Sequence, residues 1–187
     1  LKSKGNAVVD VSKKKVNGKD YWFDEEGAML SKFYLVDGDM YYFGGSDDGS
    51  MKTGSQSIKD NAGDTYKFYF YTKDQSSEYE SNDKLPLHKG AGVIGNQGNK
   101  LYYYGMQIQA DDYKYQIAEV NGKKFIVNSN GSIQHSALEY KEDGDILIDA
   151  KEAKATFSKA NSSTNVWDKY EVENAAVLEN YIYVEYL

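Results

Sequence analysis

The sequence predicts an all-β protein of stacked β-hairpin repeats, β-solenoid-like, with a degenerate middle and C-terminal part. Three observations carry this. A short block recurs along the 187 residues; there are 17 Gly but a single Pro; and 18 of the aromatic residues are Tyr, against 7 Phe and 2 Trp. Tyr suits a half-buried pleated surface, where its ring packs and its hydroxyl stays wet. Gly beside Asn or Asp makes the tight turns that hairpins need.

The first copy of the block runs from Val16 to Met29, with an Asn17-Gly18 turn, the triplet Tyr21-Trp22-Phe23, and a second turn at Gly27. The next has Asp37-Gly38, Tyr41-Tyr42-Phe43, Gly49 and Met51, and a third has Asn121-Gly122, Phe125-Ile126-Val127, Gly131 and Ile133. Gly18 and Gly38 are 20 residues apart, a spacing that marks stacked arrays. An isolated hairpin is marginal in water, so the copies are expected to share a core. Met29, Met51 and Ile133 follow their turns at one offset and are expected to be buried in it.

Weaker copies fill the gaps. Tyr66-Lys67-Phe68-Tyr69-Phe70-Tyr71 reads as a strong strand, Leu101 to Tyr104 restates the triplet, and Asp143 to Asp149 carries aliphatic residues in its place. Lys73–Lys89, polar and holding the only proline, Pro86, reads as a long loop. Ala150–Lys159 fits a short helix or a strand, Ala160–Asn165 a linker, and Asp168–Val172 and Tyr181–Tyr186 closing strands. The expected organisation is regular repeats over 1–58, a long degenerate repeat with further hairpins over 59–149, and a C-terminal β segment over 150–187.

A net charge of −7 and scattered lysines give no electrostatic footprint for nucleic acid. Without cysteine there is no disulfide framework, thiolate zinc site or Cys nucleophile. No apolar run is long enough to span a membrane. The opening Leu1-Lys2-Ser3-Lys4-Gly5 resembles neither a signal peptide nor a natural start, which suggests a piece of a longer protein.

The blocks Val16–Gly54, supported by Val120–Ile133, resemble the cell-wall-binding repeats of Gram-positive surface proteins, a superfamily of choline-binding modules, glucan-binding repeats and clostridial toxin C-terminal repeats. The resemblance implies a β-solenoid of hairpins, no catalysis, secretion to the cell surface of a Gram-positive bacterium, and attachment to cell-wall polysaccharide, teichoic acid or another glycan. Choline-binding members cage the ligand with aromatic rings, which cation–π attraction favours. The corresponding slots here hold Asp20, Met40 and Ser55, with Phe33 in the first copy. Sugar contact through Tyr21, Trp22, Tyr41 and Tyr42 is therefore the better expectation, and choline the poorer one. Neighbours in a strand face opposite ways, and Trp22 and Tyr42 are expected to be the outward members.

Other signals have plainer explanations. Gly90-Ala91-Gly92-Val93-Ile94-Gly95 spells a dinucleotide-binding pattern, but Pro86-Leu87-His88-Lys89 precedes it in place of a buried strand. Asp47-Asp48-Gly49 and Asn128-Ser129-Asn130-Gly131 hint at calcium, yet lack the spaced oxygens of a calcium loop and read as turns. His88 and His135 stand alone, Glu78 and Glu80 form a chance carboxylate pair, and the acceptor sequences at Asn130 and Asn161 are idle in a bacterium. No cofactor or metal is expected. The alternatives to glycan binding are a structural spacer or adhesion stalk and, third, a cell-wall hydrolase fragment; no nucleophile–base pair points to an enzyme.

Overall fold

The computed structural model describes residues 6–8, 10–75, 88–111, 115–120, 122–153, 155–156, 166–167, 171–172 and 177–178. Among them every regular element is a strand: β1 (Asn6–Val8), β2 (Ser12–Val16), β3 (Lys19–Phe23), β4 (Phe33–Val36), β5 (Asp39–Tyr42), β6 (Gly54–Lys59), β7 (Thr65–Phe70), β8 (Gly95–Gln97), β9 (Lys100–Tyr103), β10 (Met106–Ile108), β11 (Tyr115–Val120), β12 (Lys123–Asn128), β13 (Glu139–Glu142), β14 (Asp145–Asp149), β15 (Ala155–Thr156), β16 (Val166–Trp167), β17 (Glu171–Val172) and β18 (Val177–Leu178). Most of Lys73–Lys89, and Asn121, Ala160–Asn165 and Tyr181–Tyr186, lie outside the described residues.

Successive strands pair as antiparallel hairpins: β2 with β3, β4 with β5, β6 with β7, β11 with β12 and β13 with β14. The longest sheet has the order β6-β7-β10-β9-β8, while β1 and β18 add parallel to β4 and β11. The expected turn chemistry is present. Asn17-Gly18, Asp37-Gly38 and Asp143-Gly144 have φ of 49° and 77°, 52° and 83°, and 50° and 86°. Two consecutive positive φ values define the type I′ turn, whose twist matches the strands it joins.

A second turn recurs with its own chemistry. In Asp24-Glu25-Glu26-Gly27, Asp60-Asn61-Ala62-Gly63 and Asn128-Ser129-Asn130-Gly131, the Gly N–H donates to the first residue's carbonyl, at 3.0, 3.1 and 3.0 Å. That residue's Oδ1 accepts from the N–H four positions on, at 2.8, 2.9 and 2.9 Å. The Asn128 oxygen also takes the Asn130 N–H at 3.0 Å. The residues that hinted at calcium therefore spend this oxygen on the backbone, as Asx turns do. Likewise, Asp48 Oδ1 accepts from the Ser50 N–H at 3.1 Å and Oδ2 meets Lys52 Nζ at 2.6 Å.

Four apolar clusters follow one another along the chain. Val36, Tyr41 and Phe43 face a first cluster with Trp22, Leu30, Tyr71, Val93 and Tyr102. Phe33 and Met40, on the other face of the β4–β5 hairpin, join Ile58, Phe68, Phe70 and Met106 in a second. The β11–β12 hairpin divides its residues in the same way. Ala118, Val120, Phe125 and Val127 enter a third cluster, while Ile117 and Ile126 enter a fourth with Tyr140, Ile148 and Trp167. A hairpin between two clusters buries both faces, which is the stacking the repeats predict.

The apolar residue after each second turn is not always interior. Ile133 is buried at 1 % exposure, Met51 is half-buried, but Met29 is 43 % exposed, so the expected burial of Met29 is incorrect. Each methionine lies instead against a glycine further along the chain. A Cβ built on Gly49 would collide with Met29 Sδ, and one on Gly90 would meet Met51 Sδ at 2.5 Å. Met29 thus covers a turn at the surface.

The segment Gly90–Gly95 is a strap, and no helix follows it: Gly95 opens strand β8, so the dinucleotide pattern lacks its structural context. The Gly92 N–H donates to the Met40 carbonyl at 2.7 Å, the Tyr71 N–H to Ala91 at 3.0 Å, and the Gly105 N–H to Val93 at 3.0 Å. A Cβ on Gly92 would lie 2.7 Å from the Gly105 backbone nitrogen and 2.8 Å from the Tyr104 carbonyl oxygen. Close backbone approach explains this glycine.

Two outcomes follow for denaturant unfolding. Gly92→Ala forces backbone apart and costs roughly 1–3 kcal/mol, the usual range for overpacking. Ile133→Ala costs about 2–5 kcal/mol, whereas Met29→Ala costs under about 1 kcal/mol. Equal midpoint shifts for Ile133→Ala and Met29→Ala contradict this assignment of the core.

Candidate binding face

The aromatic residues expected to meet a ligand separate into two groups. Trp22 is only 6 % exposed. Its ring lies 4.6 Å from that of Tyr41 and 5.4 Å from that of Phe43, with Lys13 Nζ 4.3 Å from its centroid. Trp22 is therefore not an outward platform, because the second hairpin and a lysine stem occupy its surroundings. Tyr41 and Phe33, each 3 % exposed, are interior as well. Tyr21 and Tyr42 are half-buried and keep accessible surface. One member of each neighbouring pair does stay accessible; Tyr42 is as expected, but Tyr21 replaces Trp22.

Tyr42 has a rigid foundation. Its ring stacks on Phe33 with centroids 4.5 Å apart and 8° between planes, and Phe33 in turn lies 5.2 Å from Phe68. Phe68 and Phe70 stack at 5.8 Å and 3°. Against this same cluster pack the half-buried rings of Tyr66, Tyr103 and Tyr104, which sequence reasoning placed in strands without assigning them a site. Tyr103 and Tyr104 also touch the third cluster and meet edge to face at 4.7 Å and 87°. Tyr66 donates from its hydroxyl to Asp60 Oδ2 at 3.1 Å.

Tyr104 is unusual in its backbone. It occupies the first position of the Tyr104-Gly105 turn with φ 46°, a region that Asn and Asp enter easily and a bulky ring does not. Such strain persists where surrounding structure imposes it, and it clusters at functional sites. The candidate face thus consists of Tyr42, Tyr66, Tyr103 and Tyr104 over a floor of Phe33, Phe68, Phe70 and Met106. Sugar rings offer apolar faces to such a surface, while phenolic hydroxyls at its rim exchange hydrogen bonds. The period-two alternation in Tyr66-Lys67-Phe68-Tyr69-Phe70 was the signal, since it sets Tyr66 on the face of Phe68 and Phe70.

A separate polar site lies at the other face of the second hairpin. Asp39 and Tyr41 are two residues apart on β5 and share that face. Burial raises the Asp39 carboxyl to about 6, with His88 opposing and Asp37 adding to the rise. Burial raises the Tyr41 hydroxyl too, followed by the charges of Asp39, Asp37 and Asp74. Among the described residues no group of three His, Cys, Asp or Glu is placed to hold a metal ion.

No protein-family model matches the chain, and no curated protein matches it. Among solved structures it is similar to choline binding protein F of Streptococcus pneumoniae, at 24 % identity and a TM-score of 0.46, over 84 % of this chain and 40 % of that one. The same protein in the presence of a peptidoglycan analogue, a tetrasaccharide-pentapeptide, gives 26 % identity and a TM-score of 0.44, over 74 % of this chain and 38 % of that one. CbpJ of Streptococcus pneumoniae gives 18 % and 0.35, over 76 % and 47 %. The chain spans about two fifths of the length of choline binding protein F.

The raised Asp39 carboxyl makes a signed prediction. The folded state holds this proton more tightly than the unfolded chain, so its contribution is fully present below pH 3.8 and is lost as pH rises through about 6. Asp39→Asn, which imitates the protonated form, raises the thermal midpoint at pH 7.5, and the gain disappears by pH 4. A gain of the same size at both pH values contradicts it.

Proposed function

We propose that this chain is a non-catalytic surface module that binds cell-wall polysaccharide, teichoic acid or another glycan on its stacked hairpins. The observation that carries the reading is the set of half-buried tyrosines packed against one apolar cluster, with Tyr42 held flat on Phe33 at 4.5 Å. A ring held by packing loses little entropy when a sugar stacks on it, so its binding surface is preorganised. The sequence resemblance to cell-wall-binding repeats supports the same partner class and a location at the cell surface of a Gram-positive bacterium. Asp60, which accepts from the Tyr66 hydroxyl at 3.1 Å, supplies a hydrogen-bonding group at the rim.

One observation favours the rival reading of a spacer: Trp22, Tyr41 and Phe33 serve the core. The two readings part at the accessible rings. Tyr42→Ala and Tyr104→Asn are tested for co-sedimentation with purified Gram-positive cell walls and on a glycan array that includes choline and teichoic acid. Asn suits the positive φ at position 104, so that variant keeps its turn while losing the ring. Binding reduced about tenfold in either variant, with the thermal midpoint of Tyr104→Asn near that of the parent, supports the glycan module. No affinity of the parent for any wall polymer supports the spacer.

A further inference from the structure

We propose that Lys59, Lys67, Ser57 and Thr65, on the face of the β6–β7 hairpin opposite Tyr66, form a site for the phosphate groups of a phosphodiester-linked wall polymer of the teichoic acid class. This rests on the wall-binding reading above and adds to it an ionic contact away from the tyrosine face.

The hairpin register builds the site. Ser57 pairs with Lys67, and Lys59 with Thr65, in one antiparallel ladder. Directly opposite residues have Cβ atoms about 4.5–5.5 Å apart, and residues two apart on a strand share a face at about 7 Å. The four side chains thus stand at the corners of one small rectangle, with ammonium groups on one diagonal and hydroxyls on the other. All four residues are exposed, and among the described residues none has a side-chain hydrogen bond or ion pair. This face of the hairpin continues with the pair Ser55 and Tyr69, and it carries no carboxylate. The acids of the adjoining turn, Asp60 and Asp64, fall on the opposite alternation. Asp60 Oδ2 accepts from the Tyr66 hydroxyl at 3.1 Å on that side, and its Oδ1 accepts the Ala62 and Asp64 N–H groups, each at 2.9 Å.

Elsewhere the lysines are matched: Lys52 with Asp48 at 2.6 Å, and Lys141 and Lys151 with Glu139 at 2.9 and 2.6 Å. In a chain with 29 acidic residues and a net charge of −7, a lysine pair set apart from every carboxylate of its own hairpin face stands out. Like charges this close on a sheet repel, and an anion held between them relieves the repulsion. Lysine is a compact point charge with three donors. A phosphodiester presents two non-bridging oxygens, which accept from both ammonium groups and a hydroxyl together, and charge-assisted bonds of this kind are the strong ones. A planar carboxylate is matched best by the fork of arginine, a residue this sequence lacks. Nucleic acid is the poorer occupant, because the patch is small and the chain as a whole repels a dense polyanion.

Calorimetric titration of the whole chain with an oligo(glycerol phosphate) at low ionic strength tests this. Saturable binding that weakens with added salt is expected. It falls about tenfold when Lys59→Gln and Lys67→Gln are combined, with the thermal midpoint near that of the parent. Ser57→Ala with Thr65→Val weakens it a few fold. Lys141→Gln with Lys151→Gln removes the same charge from lysines already paired, and leaves the affinity within about twofold. Oligo-dT and polygalacturonate of matched charge bind more weakly. Absent saturation, an unchanged affinity in the Lys59 and Lys67 double variant, an equal loss in the Lys141 and Lys151 control, or tighter binding of either comparison polymer overturns the site. Cell walls stripped of teichoic acid separate this from the glycan reading: if they retain the parent while oligo(glycerol phosphate) does not bind, the phosphate site alone has failed.

Discussion

The β4–β5 and β11–β12 hairpins each have two apolar faces and no interior of their own, and the rest of the structure depends on that constraint. The β4–β5 hairpin places Val36, Tyr41 and Phe43 on one side and Phe33 and Met40 on the other, each side closed by a different neighbour. Its stability is therefore a property of position in the stack. The connections reinforce this. Met51 donates its N–H to the Asp20 carbonyl at 2.8 Å, and Ile133 makes the equivalent bond to Asn99 at 3.0 Å, so the tail of one unit pairs with an earlier strand. Solenoid arrays distribute stability as nearest-neighbour terms of this kind.

The turns and strand content were legible in the sequence because they rest on local chemistry. Asn17-Gly18 and Asp37-Gly38 accept the two consecutive positive φ values that a type I′ turn needs, and the aromatic runs beside them favour strands. Orientation was less legible. Trp22 and Tyr42 occupy matching positions in their blocks, yet Trp22 points inward and Tyr42 remains accessible. A period-two rule says which residues share a face; it does not say which face meets a neighbour, and in a stack both do. Among the described residues β2–β3 is a two-stranded sheet, whereas β1 joins β4–β5, so equivalent positions see different surroundings.

The candidate tyrosine face shows a second limit of the same sort. Tyr66, Tyr103 and Tyr104 come from degenerate units, whose repeat signature is too weak to align them with Tyr42. Tertiary pairing of β7 with β10, and of β10 with β9, brings them onto one cluster. The glycine pattern at Gly90–Gly95 taught the converse lesson. Its spacing suggested phosphate, whereas its glycines serve close packing, with the strap against Met40, Tyr71 and the Tyr104-Gly105 turn.

The strand β2 has a consequence for behaviour at high concentration. Among the described residues it pairs only with β3, and all five of its residues, including Lys13, Lys14 and Lys15, are exposed. An unpaired strand edge normally invites a second chain to extend the sheet, at about 4.8 Å between backbones. Two such edges meeting here would bring like-charged lysine rows together at that spacing. Sheet growth by self-addition is thus opposed at this edge, which keeps an aromatic-rich hairpin array dispersed where many copies crowd together.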